Sequence, residues 1–228
     1  MSKEIEEKQV KATDEGFAQV QNSLNRFELF FENYQKPIAI GFVALIVIFA
    51  LGWVYKTQVV EPNKKEAQAQ VFQAQYYFEA DSFALALNGD GINSGFLQII
   101  DEYSSTPAGE LACYYAGVCY LNLGEYENAK KYLSDFSSDD EILNSYAVGL
   151  IGDAEVELGN DEVAISQFKK AVGMKNKVTA PVFLEKLGNL YEKLGKTEEA
   201  VAAYQSIKDE YPMSPVAQGV EKYINAVK

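Results

Sequence analysis

The residues best suited to redox or metal chemistry in this 228-residue chain are its two cysteines, Cys113 and Cys119. They lie in a stretch with helical periodicity, where positions i and i+6 point to different faces and two thiols cannot bridge. The chain contains no histidine, which removes the usual near-neutral proton carrier and a common metal ligand. We therefore predict two buried, reduced thiols, no metal site and no cofactor.

Short catalytic motifs are also missing from the sequence. CxxC, HExxH and GxxxxGK[ST] do not occur. The segment NGDGINSG at 88–95 contains calcium-type oxygen ligands, but it lacks the spacing and the closing bidentate Glu of a calcium loop. We predict a solvated turn there. An enzyme would have only scattered carboxylates and tyrosines, so we predict no catalytic activity and no small-molecule substrate.

The charge of the chain is strongly acidic, with a formal net charge of −13. Residues 57–228 contain 14 lysines against 26 aspartates and glutamates. A surface of this sign repels a nucleic-acid polyanion. Nucleic acid is therefore excluded as a partner class.

An apolar run occupies residues 38–55, IAIGFVALIVIFALGWVY, between Lys36 and Lys56. At 1.5 Å per residue, a helix of this length nearly crosses a hydrocarbon core of about 30 Å. Trp53 and Tyr55 suit the membrane interface. We predict a transmembrane helix at 38–55. The alternative is a cleaved signal peptide, which the 37-residue leader and the lack of a small-x-small cleavage site disfavour.

The tail at 1–37 contains an apolar stripe with helical spacing, formed by Phe17, Val20, Leu24, Phe27, Phe31 and Tyr34. This pattern predicts an amphipathic helix. Three roles are compatible with it: lying on the membrane surface, docking another membrane protein, or forming a coiled coil. Arg26 and Lys36 precede the 38–55 segment and Lys56, Lys64 and Lys65 follow it closely. Neither side has a decisive excess, so charge does not decide the orientation.

A repeat of 35–36 residues organises the rest of the chain. Its clearest copies are LGEYENA at 123–129, LGNDEVA at 158–164 and LGKTEEA at 194–200. A second glycine precedes each of these glycines by seven residues, at Gly117, Gly152 and Gly188. Glycine at a helix end takes the left-handed conformation, and glycine inside a helix allows close packing. The repeat therefore predicts stacked helix hairpins.

These hairpins resemble the tetratricopeptide (TPR) repeat family. The best-matching positions are Leu184, Leu187, Gly188, Tyr191, Ala200, Tyr204 and Pro212. The resemblance implies an all-α fold in which residues 56–228 form one degenerate repeat, three clear repeats and a C-terminal capping helix. We predict that the degenerate repeat consists of a long helix from Lys64 to Leu87 and a second helix from Phe96 to Tyr103.

In TPR proteins, the first helices of the hairpins line a concave groove that holds a partner segment. The matching groove positions are Leu111, Tyr114, Val118, Leu121, Tyr146, Asp153 and Val156, followed by Glu185, Asn189 and Glu192. One end of this groove is apolar and aromatic, and the other is acidic. Alternatively, the apolar end packs against the degenerate repeat. The Lys/Asn clamp that holds C-terminal carboxylates in chaperone-binding TPR domains is absent.

The layout of tail, anchor and repeats resembles the YfgM-like ancillary subunits of the bacterial SecYEG translocon. The resemblance implies a single-pass protein of the bacterial inner membrane, with its N-terminus in the cytoplasm and its repeats in the periplasm. It also implies the Sec translocon and a membrane-anchored periplasmic isomerase-type chaperone as partners. A TPR scaffold for envelope assembly or cell division is the alternative function.

Overall fold

A computed structural model of the chain describes residues 21, 34, 36, 37 and 39–227. Every regular element in these ranges is helical, which confirms the all-α prediction. The amphipathic helix predicted before the apolar run lies almost wholly outside the described residues. The chain divides into two compact units, Met1–Val60 and Glu61–Lys228.

The first unit contains the apolar helix α1, at residues 39–55, which is followed by a π-helical turn at Lys56–Val60. Among the described helices, this is the one long and apolar enough to cross a membrane. Its apolar side chains are exposed rather than buried in a protein core, as at Phe49, which is 78% exposed. Length, composition and exposure thus fit a membrane-spanning helix.

The second unit begins with three helices that replace one hairpin: α2 at Glu61–Glu79, α3 at Phe83–Asn88 and α4 at Phe96–Tyr103. Three hairpins follow, formed by α5 at Pro107–Asn122 with α6 at Tyr126–Asp135, α7 at Glu141–Glu157 with α8 at Asp161–Gly173, and α9 at Ala180–Lys193 with α10 at Thr197–Glu210. A 3₁₀ turn at Pro215–Gly219 leads into the last helix, α11, at Val220–Val227. This order matches the predicted degenerate repeat, three clear repeats and terminal helix.

The single long helix predicted from Lys64 to Leu87 is wrong, because the chain breaks between α2 and α3. Asp81 adopts a left-handed conformation with φ of 54°. The N–H of Ser82 then donates to the carbonyl of Tyr77 at 2.9 Å, which closes the helix end. Aspartate can adopt this left-handed conformation, so no glycine marks the helix break in the sequence.

The three hairpin turns are closed as predicted. Gly124, Gly159 and Gly195 have φ of 76°, 78° and 69°. The residue after each glycine donates its N–H to a carbonyl in the last turn of the preceding helix, as Lys196 does to Tyr191 at 2.8 Å. A side chain at these left-handed positions would be strained.

The inner glycines mark the closest approach of the two helices in each hairpin, which confirms the second part of the pattern. A Cβ at any of them would collide with one large side chain of the second helix. The pairs are Gly117 with Leu133, Gly152 with Phe168 and Gly188 with Tyr204. These large side chains are buried, so the hairpins are close-packed.

The cysteines lie in different parts of the core. Cys113 packs with Leu133, Phe136 and Ala147 between α5, α6 and α7, whereas Cys119 faces the core of the degenerate repeat. Both thiols are free and buried, as predicted. Burial raises the pKa of Cys113 to about 11 and that of Cys119 to about 12.

Candidate protein-interaction surface

The first helices of the three hairpins, α5, α7 and α9, form the surface that we call the first-helix face. All seven groove residues predicted on α5 and α7 are half-buried: Leu111, Tyr114, Val118, Leu121, Tyr146, Asp153 and Val156. Leu111, Tyr146 and the pair Asp153 and Val156 contribute to three separate cavities.

At the α5 end of this face, some side chains pack against the rest of the protein. The ring of Tyr114 lies 5.4 Å from that of Phe136 and 5.8 Å from that of Tyr115. Burial raises the pKa of the Tyr114 hydroxyl to about 12. Leu111 borders a cavity of about 360 Å³ whose opposite wall includes Val71 of α2. At Leu111, therefore, the face is turned toward the degenerate repeat.

A cavity of about 360 Å³ lies between α7 and α9 and is lined in part by Asp153, Val156 and Asn189. The Lys186 ammonium is 2.7 Å from both oxygens of the Asp153 carboxylate. Burial nevertheless outweighs Lys186 and leaves the pKa of Asp153 above its ordinary value. The ionised carboxylate is thus only partly compensated by its partner.

The Tyr204 hydroxyl of α10 links two predicted groove residues of α9. Its oxygen is 2.7 Å from Asn189 Oδ1 and 2.8 Å from Glu192 Oε2. A phenol has one proton to donate, so it can donate fully to only one of these acceptors. Burial, followed by the hydrogen bond to Glu192, raises the pKa of the hydroxyl. The contact fixes Asn189 and Glu192 on the same side of α9.

A further cavity, which we call the C-terminal cleft, has a volume of about 660 Å³. Of the predicted groove residues, Tyr146 is the one that lines this cleft. Its ring packs on Phe183 at 5.7 Å. The cleft is lined by Tyr146, Lys177, Val178, Pro181, Val182, Glu210, Tyr211, Pro212, Met213, Ser214, Pro215 and Val216. Half of this lining lies on two connections, α8 to α9 and α10 to the 3₁₀ turn. Of these connection residues, the repeat pattern covers Pro212.

Hydrogen bonds hold both connections in place. In the first, the buried Thr179 hydroxyl lies 2.7 Å from that of Ser145 on α7. In the second, the Ser214 hydroxyl caps the 3₁₀ turn by accepting the N–H of Ala217 at 3.2 Å. Proline is concentrated here, since Pro181, Pro212 and Pro215 are three of the six prolines in the chain. That clustering was the sequence signal that could have located the cleft.

Comparison with known proteins assigns the fold. Residues 29–227 match the model of the tetratricopeptide repeat-like domain. The chain belongs to this family. TPR domains of this kind are protein-interaction scaffolds.

Solved structures with the same fold are distant in sequence. The TPR-like repeats of a putative kinesin light chain from Podosopora anserina are 13% identical with a TM-score of 0.56, covering 72% of this chain and 86% of that chain. The MamA protein is 15% identical with a TM-score of 0.51, covering 71% and 89%. No curated protein matches the sequence. These likenesses concern the fold alone.

A buried ion pair departs from the TPR pattern and was missed by sequence reasoning. Glu155 stands where the other two repeats have tyrosine, and it is only 6% exposed. Lys130 of α6 lies 2.9 Å from its Oε1, and Asn160 donates to its Oε2 at 2.8 Å. Burial alone would raise the pKa of Glu155, but the hydrogen bonds from Lys130 and Asn160 lower it below its ordinary value. The pair joins two successive repeats.

The last feature is the arrangement of possible metal ligands. In the part of the chain that the structure describes, no group of three or more His, Cys, Asp or Glu side chains could hold a metal ion. The Asp90 carboxylate in the 88–95 loop instead accepts the N–H groups of Ile92 and Asn93, at 2.8 and 2.6 Å. These bonds keep its pKa well below its usual range.

Proposed function

We propose that this protein is a membrane-anchored TPR scaffold that serves as an ancillary subunit of the bacterial Sec translocon and links it to periplasmic chaperones. The observation that carries the proposal is the first-helix face, where half-buried side chains border open cavities. Open clefts with apolar lining are typical of binding sites, and the C-terminal cleft is one of them. The scaffold role follows from the fold, and the choice of partners follows from the resemblance of the layout to YfgM-like subunits.

In this proposal α1 spans the inner membrane, the N-terminus lies in the cytoplasm and the repeats lie in the periplasm. The repeats then face the compartment in which exported chains emerge. The partners are the translocon and a membrane-anchored periplasmic isomerase-type chaperone. Val118, Tyr146 and Val156 are the proposed contact residues, because each lies half-exposed on the first-helix face.

The experiment is co-purification of the full-length chain from bacterial inner membranes in a mild uncharged detergent. Recovery of SecYEG together with the isomerase-type chaperone is the expected result. A matched control is Gly188→Leu, which keeps α1 but forces a side chain into the space of the Tyr204 ring. This control should lose the chaperone. Recovery of division or envelope-assembly proteins without the translocon would contradict the proposal and support the alternative scaffold.

A further inference from the structure

The C-terminal cleft is open to solvent and predominantly apolar. Val178 is 55% exposed and Met213 is 94% exposed at its rim. Tyr146 and Val182 form part of its inner wall. A cavity of about 660 Å³ has room for several partner side chains.

The wall of the cleft continues along α9 as a single stripe. Val182, Glu185, Asn189 and Glu192 follow one another at spacings of three, four and three residues, so they share one helix face. From Val182 to Glu192 the helix rises about 15 Å. Both Glu185 and Glu192 raise the pKa of the Tyr204 hydroxyl, although burial is the largest cause. The Glu192 carboxylate lies 2.8 Å from that hydroxyl.

The stripe carries negative charge that the chain does not neutralise. Within the described residues, no lysine or arginine forms an ion pair with Glu185 or Glu192. The neighbouring carboxylate differs, since Asp153 is paired with Lys186 at 2.7 Å. An apolar cleft is thus followed by two uncompensated carboxylates on the same helix face.

We propose that the C-terminal cleft and the α9 stripe bind one segment of a partner protein, with apolar or aromatic side chains in the cleft and Lys or Arg over Glu185 and Glu192. A cationic segment complements the charge of the stripe, whereas an acidic one would be repelled. About five extended residues or about ten helical residues span the stripe. This inference rests on the proposed function and adds the chemistry of the segment that is recognised.

Three fluorescein-labelled probe peptides test this chemistry on the full-length chain in an uncharged detergent. The first carries a Phe-Leu-Phe anchor followed by two lysines spaced by glycine, the second has glutamates in place of the lysines, and the third has Ser-Gly-Ser in place of the anchor. Fluorescence anisotropy should show that the first peptide binds about tenfold more tightly than either of the others. Its advantage over the second peptide should shrink at about 0.5 M NaCl. Equal binding of the lysine and glutamate peptides would overturn the proposal.

Three double variants locate the binding, two of them matched in charge change. Glu185→Gln with Glu192→Gln should remove the preference for lysine, whereas Glu198→Gln with Glu199→Gln, an equal charge change on exposed residues of α10, should keep it. Val178→Ser with Met213→Ser should weaken the first two peptides and leave the helical content unchanged, because both side chains are exposed. If the Glu185/Glu192 variant keeps the preference, the inference fails. Co-purification of the translocon with the unmodified chain is measured separately. A positive result there supports the proposed function even if the peptide experiments contradict this inference.

Discussion

The ring of Phe183 fills the space that a side chain at Gly149 would need. Unlike the inner glycines of the hairpins, this pair joins the first helices of two successive repeats, α7 and α9. Phe183 also packs on Tyr146 at 5.7 Å and on Phe168 at 6.2 Å. Gly149 therefore determines how closely α7 and α9 can approach each other. These two helices line the cavity at Asp153 and contribute to the wall of the C-terminal cleft.

Replacing Gly149 with Ala should destabilise the repeats by about 1–3 kcal/mol, because the new methyl group overpacks against Phe183. Alanine favours helix over glycine, but by a smaller amount. Thermal unfolding of the full-length chain, followed by circular dichroism in detergent, measures the change. Gly173→Ala is the control, since a Cβ there meets nothing within 4 Å. Equal melting temperatures for the two variants would refute the packing argument.

Replacing Glu155 with Gln should lower stability at pH 7 by about 1–3 kcal/mol, because the buried pair with Lys130 loses its negative partner. The folded-state pKa of Glu155 is lowered, so its ionised form stabilises the fold above the unfolded-state value of about 4.3. This contribution disappears as the pH falls through the folded-state pKa. Melting curves at several pH values should therefore converge for variant and wild type in acid. A gap that persists unchanged at low pH would show that charge is not the cause.

Replacing Tyr114 with Ala should cost about 3 kcal/mol, since its ring packs on Phe136 in the core. Tyr114→Phe retains the ring and should be nearly neutral. Circular dichroism melts distinguish these outcomes. The Tyr114→Ala variant therefore cannot by itself report on partner binding, because loss of the fold would also lose the partner.

Val118→Ser is the cleaner probe of the predicted groove, because Val118 is half-buried but belongs to none of the three core clusters. Its melting temperature should stay close to that of the wild type while co-purification of the chaperone weakens. Leu133→Ser, in the core, is the contrasting control and should reduce both. Undiminished recovery of the chaperone with Val118→Ser would exclude this part of the first-helix face.

The proposed orientation predicts that protease added to outer-membrane-permeabilised cells digests the repeats and spares residues 1–37. Immunoblotting with tags at each end measures the two fragments. Disruption of the inner membrane is the control and should expose both ends. Protection of the repeats in intact inner membranes would show the opposite orientation. The Lys and Arg residues on the two sides of the 38–55 segment do not exclude that orientation.

The sequence located the hairpins because each turn requires a left-handed residue, and glycine recurs there at Gly124, Gly159 and Gly195. It did not reveal the break at Asp81, where an ordinary residue adopts the same conformation. The family pattern also did not predict the ion pair of Glu155, since its partner Lys130 lies in the preceding repeat. A pairwise contact across repeats leaves no periodic signal.

Prediction of the candidate site was similarly uneven. Residues on first helices could be placed from the register alone, and the structure leaves all of the predicted α5 and α7 positions half-buried. The C-terminal cleft depends on two irregular connections outside that register. Their path is set by contacts such as Ser145 with Thr179, which join distant segments and cannot be deduced from spacing.

The burial of Cys113 and Cys119 makes the chain suitable for site-directed thiol labelling without a cysteine-free background. Maleimides react with the exposed thiolate, and both native thiols are buried with raised pKa values. A cysteine introduced at an exposed position such as Met213 would then be the dominant reactive group in the folded repeats. A membrane-impermeant maleimide could report sidedness in living cells, and a fluorescent one could follow occupancy of the C-terminal cleft.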